Sequence, residues 1–239
     1  MSCIEDRIDK NILMIKSIIN TYILVDQNLK LFKHLLQNEK LLARWQGSYA
    51  ANGVTTLRTS LYMFILSEMR AIILDKHKKV ASVHNIIKSL EDVDFAELLK
   101  IRFCDTKDMS VLPLGDSISE STIEMIRSEE AKKKSASFEE SLDYVLSNYQ
   151  KLCNSELALR VDSARSKMIS HKEFQTTKNS ERRMFEASDF GLKYCDAEDI
   201  VNESREIIFK IYFLFTKSFF DIKHTIKHHE LVATNFWSK

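Results

Sequence analysis

The sequence is poor in the residues that punctuate a chain. Four glycines and one proline occur in 239 residues, too few for the tight turns of a sandwich or barrel, or for a collagen-like or low-complexity chain. Four cysteines, Cys3, Cys104, Cys153 and Cys195, are scattered with no CxxC pair and no short Cys/His spacing, so neither a zinc site nor a disulfide framework is signalled and a reducing cytosol fits. An excess of one charge is also missing. Lys+Arg number 35 against 34 Asp+Glu, a net of +1, which leaves no global field to steer the molecule to nucleic acid or anionic lipid; any such site must be a local patch. Long apolar runs are absent too: the most apolar stretch, Ile207 to Phe215, is interrupted by Lys210 and is about half the length a bilayer requires. The first residues, Met1-Ser2-Cys3-Ile4-Glu5-Asp6, carry acids where a secretory signal carries bases. The expectation is a cytoplasmic protein without a membrane span.

With 44% hydrophobic and 29% charged residues, the chain can close one sizeable core, and helices are the default. Ser2 and Glu5 form a capping-box pattern, after which Ile4, Ile8, Ile12, Ile15, Ile19, Tyr22, Val25, Leu29, Phe32 and Leu36 recur at helical spacing. The segment from Thr56 to about Lys76 is apolar on most faces and is expected to be a central, largely buried helix. Ser82 can cap a short helix over Val83 to Leu90, and Asp94 with Glu97 suggests the start of another. The only proline, Pro113, lies in a connector, followed from about Ser117 by a solvated helix through the charged stretch Glu129 to Lys134. Ser137 with Glu140 predicts a further helix, kinked near Asn154 and running toward Met168; a polar loop follows, and a last helix starts at Asp196 and extends through Ile222 and Ile226. No internal repeat or domain-sized linker is present, so residues 1–239 are expected to form one all-α domain, a bundle of about four long helices with additional short ones.

The familiar catalytic patterns (P-loop, GxGxxG, HExxH, GxSxG) are absent. The segment that stands out is Arg165-Ser166-Lys167-Met168-Ile169-Ser170-His171-Lys172. An arginine, a polar residue and, after five intervening positions, a histidine resemble the signature of the HEPN superfamily, the small all-helical ribonucleases of toxin and antiphage systems. The order of elements is similar to the abortive-infection branch of that superfamily. With 11 arginines and 7 histidines, about one accidental match of this spacing is expected, and the chain has two. The other, Arg70 to His77, runs through Ala71, Ile72, Ile73 and Leu74 and reads as the end of a core helix.

Metal-free RNA cleavage needs a base for the 2′-hydroxyl proton, an acid for the leaving 5′-oxygen and a cation beside the phosphate. His171 titrates near neutrality, and Arg165 offers a permanently charged fork. Six positions along one helix turn a side chain through about 600°, leaving the two about 120° apart. Two copies facing each other across a twofold axis would converge both pairs on one phosphate, which is what the resemblance implies of a composite site in a homodimer.

The resemblance further implies catalytic Arg165 and His171, with Ser166 and Lys167 orienting the phosphate. It implies RNA, tRNA among the candidates, as substrate, and an antitoxin or activating protein as partner. No cofactor or metal is expected. Ser166 stands where active relatives more often carry Asn, Asp or His, and Glu173 stands where antitoxin-controlled relatives carry a modified tyrosine. From Arg165 to Arg183 six basic residues face two acids, a net of +4 that leaves −3 for the remainder. This patch makes Lys172, Lys178, Arg182 and Arg183 candidate RNA contacts. The alternative reading is a non-catalytic helical module that binds RNA, a nucleotide or a partner protein on the same surface.

Weaker candidates have plain structural readings. His224, His228, His229 and Glu230 offer an i, i+4 pair but no third ligand. Trp45, Tyr49 and Trp237 are more simply packing residues than base platforms. Cys153 has no activating base within a helical turn and reads as a small core residue. The Lys132-Lys133-Lys134 run reads as a solvated helix end.

Overall fold

A computed structural model describes residues 2–106, 120–170, 173–176 and 182–238, with side chains from residue 5 and excluding those of 169 and 170. The longest element, α1 (Ser2–Gln37), follows the predicted periodicity. It buries Ile8, Ile15, Ile18, Ile19, Tyr22, Val25, Leu29 and Phe32 along one stripe, the arrangement that drives a long amphipathic helix into a bundle. The short α2 (Glu39–Trp45) is capped by Asn38, whose side chain accepts from the Leu41 N–H at 3.0 Å.

The next helix, α3 (Ala50–Leu74), is buried only in its second half, less than its composition suggested. Its first half is mostly exposed, Leu57 included, and only Tyr62, Ile65, Leu66, Met69, Ile72 and Ile73 are buried. Helix α1 packs against α3, α8 (Asp196–Thr216) and α9 (Ile222–Trp237), and α3 packs in turn on α8.

Two short helices, α4 (Val83–Leu90) and α5 (Val93–Cys104), extend the core with Val83, Ile86, Ile87, Leu90, Phe95, Leu99 and Phe103. Ser82 caps α4 as expected, accepting from the Asn85 N–H at 3.3 Å. The cap of α5 is Asp92 rather than Asp94: Asp92 accepts from the Phe95 N–H at 3.3 Å and from Arg7 at 2.9 Å. The connector around Pro113 lies outside the described residues.

The solvated helix and the helix assigned to Ser137 are one element, α6 (Glu120–Cys153). Nothing between residues 120 and 153 is a glycine or proline, so the Ser137/Glu140 pattern has no helix end to cap and Phe138 simply begins the buried face. The first half of α6 is largely exposed, as its charge predicted. The expected kink near Asn154 is a break: Ser155 caps a new helix, α7 (Glu156–Ala164), accepting from the Ala158 N–H at 3.1 Å.

The last helix of the sequence reading is two helices. Lys217 adopts a left-handed conformation (φ 58°) and ends α8, its N–H donating to the Phe213 carbonyl at 2.9 Å. Asp221 then caps α9 through the His224 N–H at 3.0 Å. A non-glycine residue in this region costs about 1 kcal/mol. The reversal is offset by ring packing: Phe219 stacks on Phe213 at 4.3 Å and Phe220 on Phe209 at 5.2 Å. Among the described residues no helix is long and apolar enough to cross a membrane.

Candidate functional site

The conspicuous motif sits where α7 changes character. One face of α7 is buried through Leu157, Ala158, Val161 and Ala164. Its polar side is held from two directions. Arg160 donates to Asp196 at 3.1 Å, and Arg70, near the end of α3, donates from Nε to Asp162 at 2.8 Å and from Nη1 to Asp75 at 3.2 Å. Immediately after Ala164 the helix widens into a π-helical turn over Arg165–Ser170. Such turns are rare and occur frequently at functional sites.

Arg165 opens this turn, half-buried. Among the described residues no carboxylate lies within ion-pair distance of its guanidinium, whereas Arg70, Arg160 and Arg183 are each paired. Ser166 is half-buried beside it. Lys167 is exposed, its ammonium 5.4 Å from the centre of the Phe185 ring, and Met168 packs on the core. His171, Lys172 and Lys178 lie outside the described residues.

The segment expected to be a polar loop contains a small antiparallel hairpin, β1 (Phe174–Thr176) paired with β2 (Arg182–Met184) in the register Phe174 to Met184, Gln175 to Arg183 and Thr176 to Arg182. Two three-residue strands are too short to be stable alone. The Glu173 N–H donates to the Lys167 carbonyl at 2.7 Å and the Phe185 N–H to the Glu173 carbonyl at 3.4 Å, fastening the base of the hairpin to the π-helical turn. Gln175 donates to Asp189 at 2.6 Å, and Arg183 donates to the same carboxylate at 2.9 Å.

Arg183, a candidate RNA contact, is therefore also an anchor of the hairpin. Its guanidinium holds the Asp189 carboxyl below the usual carboxylate range, with help from the Glu186 N–H. Arg182 is exposed, with no partner among the described residues.

A cleft of about 1190 Å³ borders the same helix and is lined by Arg70, Asp75, His77, His84, Tyr149 and Asp162 among others. The Tyr149 hydroxyl lies 3.1 Å from His84 Nδ1 and donates to the Ile73 carbonyl at 3.3 Å. Burial is the main reason that the His84 imidazole is pushed below its ordinary value, with the nearby Lys76 second. Burial likewise pushes the Cys153 thiol up, which fits a core residue and not a nucleophile. The sequence reading singled out Arg70 only to set it aside, and it did not find the contact with Asp162. No periodicity or short motif encodes a pairing of two residues 92 positions apart.

The remaining candidates are structural. His229 is buried, its Nδ1 donates to the buried Asp26 at 2.8 Å, and among the described residues it forms no ligand cluster with His224 and His228. Trp237 donates to the Leu31 carbonyl at 3.2 Å and meets Trp45 edge-on at 6.2 Å, pinning α9 to α1. Cys195, Asp196 and Asp199 approach within 4.8 Å at the start of α8. There Asp196 already serves Arg160 and the Lys193 N–H.

Residues 7–236, nearly the whole chain, match a family model described as AbiU2, of the HEPN_AbiU2 type. No curated protein and no solved structure matches the chain.

Proposed function

Because the chain belongs to the HEPN_AbiU2 family, an abortive-infection type of HEPN family, we propose that it is a metal-independent endoribonuclease acting as a homodimer, with Arg165 and His171 as its reacting pair. The observation that carries this reading is the state of Arg165. It opens a π-helical turn and keeps its guanidinium free of carboxylates among the described residues, while Arg70, Arg160 and Arg183 are engaged. An unengaged guanidinium can make the two parallel bonds that a phosphate accepts.

In the proposed reaction, neutral His171 takes the proton of a ribose 2′-hydroxyl. The 2′-oxygen then attacks the adjacent phosphorus and the bond from phosphorus to the 5′-oxygen breaks. The leaving oxygen receives a proton from the protonated histidine of the facing copy, giving a 2′,3′-cyclic phosphate and a 5′-hydroxyl. Arg165 stabilises the charge that grows on the non-bridging oxygens. Ser166 and Lys167 lie on the same turn and would orient the phosphate, with Lys172, Lys178 and Arg182 as outlying contacts. The biological role consistent with the family is arrest of growth during phage infection, restrained by an antitoxin or released by an activating partner.

The test is incubation of the purified protein with end-labelled tRNA and mixed RNA in EDTA beside its His171→Ala variant. Cyclic-phosphate ends that vanish in the variant are the expected result. A second reading, a non-catalytic RNA-binding module, is favoured by Ser166, which can hydrogen-bond but cannot titrate usefully. It predicts salt-dependent RNA affinity with intact RNA in both samples.

A further inference from the structure

The hairpin after the motif has two unlike faces. Alternation along the strands puts Gln175 and Arg183 on one side, both tied to Asp189, and Phe174, Thr176, Arg182 and Met184 on the other. On that outer side Phe174 is 70% exposed and Met184, directly opposite it, 38%. An aromatic ring, a thioether and a cation without a partner among the described residues thus share one small surface, held at its base by the turn that carries Arg165.

The anchors fasten this surface to the fold, which two such short strands could not sustain alone. The inward face uses a charge-assisted pair to Asp189, and the base uses the bond from the Glu173 N–H to the Lys167 carbonyl and the Lys167 ammonium over Phe185. An exposed aromatic beside a positive charge is the combination used to hold unpaired nucleotides, the ring by stacking and the cation by phosphate contact.

We propose that the outer face of this hairpin is a platform for single-stranded RNA, with Phe174 stacking on a base, Met184 supporting the ring and Arg182 holding a phosphate. The proposal rests on the RNA reading given above and adds the element that receives the unpaired strand. Charge favours RNA over a second copy of the chain as the occupant. A twofold contact centred here would set Arg182 against its own copy, whereas a polynucleotide brings the opposite charge.

The test uses a fluorescein-labelled 12-nucleotide single-stranded RNA with 2′-O-methyl sugars, which cannot supply the attacking hydroxyl, and a duplex of the same sequence. Phe174→Ala and Phe174→Leu are expected to weaken single-strand binding about tenfold or more, while Phe174→Trp binds like wild type and its fluorescence falls as RNA is added. Duplex binding stays within twofold throughout. Arg182→Ala is expected to reduce the salt slope of binding by about one. Phe174 is exposed, so matched melting temperatures are expected for all variants.

Unchanged single-strand affinity in Phe174→Ala overturns the proposal, as does a wild type that does not bind the strand or a variant whose light-scattering mass falls because copies separate. Cleavage in EDTA, read in parallel, keeps the two claims apart. RNA cut normally by a chain indifferent to Phe174 removes only the platform. Binding that depends on Phe174 without any cleavage removes the ribonuclease and leaves the platform.

Discussion

The Arg70 guanidinium donates from Nε to Asp162 at 2.8 Å, and with its second bond, to Asp75 at 3.2 Å, it fastens the end of α3 to the last turn of α7 before Arg165. The Asp75 carbonyl in turn accepts from the Ser82 hydroxyl at 2.7 Å, and its carboxylate from the His77 N–H at 2.9 Å. The α3–α4 connection and the helix carrying the motif therefore share one charged junction.

Removing that junction is expected to cost stability. The Arg70 side chain is 15% exposed, and hydrogen bonds to charged groups at such a site are worth about 2 kcal/mol. Arg70→Ala should lower the unfolding free energy by about 2 kcal/mol in total, read as a lower denaturant midpoint at unchanged slope, and Arg70→Lys should recover only part of it, because a point ammonium cannot serve two carboxylates as a planar fork does. A midpoint unchanged in Arg70→Ala would show the junction to be idle.

The buried pair Asp26 and His229 makes a second energetic claim. Both groups are withdrawn from water and link α1 to α9 at 2.8 Å, and leaving one partner of such a buried hydrogen bond unsatisfied costs about 3 kcal/mol. Asp26→Ala and His229→Ala should each destabilise by about this much, and the double variant by much less than twice as much. Zinc should not raise the melting temperature of the wild type. A zinc-dependent rise abolished by His229→Ala would return the C-terminal histidines to the role of ligands.

Much of this architecture is legible in sequence wherever local signals decide it. The stripe from Ile8 to Phe32 and the cap Ser82 involve residues a few positions apart, so reading the chain in order finds them. The turn at Lys217 is different. The apolar pattern continues across it through Phe219 and Ile222, and rings that fold back on Phe213 and Phe209 drive the reversal. The hairpin escaped for a related reason: its strands have three residues each, and Asp189, five or more positions away, supplies its anchor. The Arg165 motif was visible as spacing. The π-helical turn and the engagement of Arg183 were not, since both depend on contacts that only the folded chain makes.

The anchor at Asp189 carries a pH prediction. The Arg183 guanidinium holds the Asp189 carboxyl below its usual range, so the folded value lies under the unfolded one. The contribution is complete above the ordinary aspartate value of about 4 and is lost as pH falls through the depressed value. Amide exchange at Phe185, corrected for intrinsic rates, should be constant from pH 7 to 5 and accelerate only in stronger acid. In Asp189→Asn the amide should be poorly protected at every pH. Loss of protection between pH 7 and 6 in the wild type would assign the anchor to another group.

Ser155 seats the helix that leads to the site. Its hydroxyl accepts from the Ala158 N–H at 3.1 Å directly after the break at Asn154, and replacing such a cap with alanine costs about 1 kcal/mol, with glycine a few tenths. Ser155→Ala should therefore melt earlier than Ser155→Gly, and thermal unfolding followed by circular dichroism reads the order. The reverse order would mean that backbone freedom, not the cap, limits α7.

The central claim is that Arg165 and His171 act together on a phosphate, and the most direct test is the single-turnover rate of RNA cleavage in EDTA for wild type, His171→Ala and Arg165→Lys, matched for oligomeric mass. The account predicts cyclic-phosphate products from the wild type. It predicts a loss of at least about 100-fold in His171→Ala, as for removal of a general acid–base, and a comparable loss in Arg165→Lys, as for removal of an oriented donor to developing charge. Cleavage by Arg165→Lys or His171→Ala at the wild-type rate would contradict it.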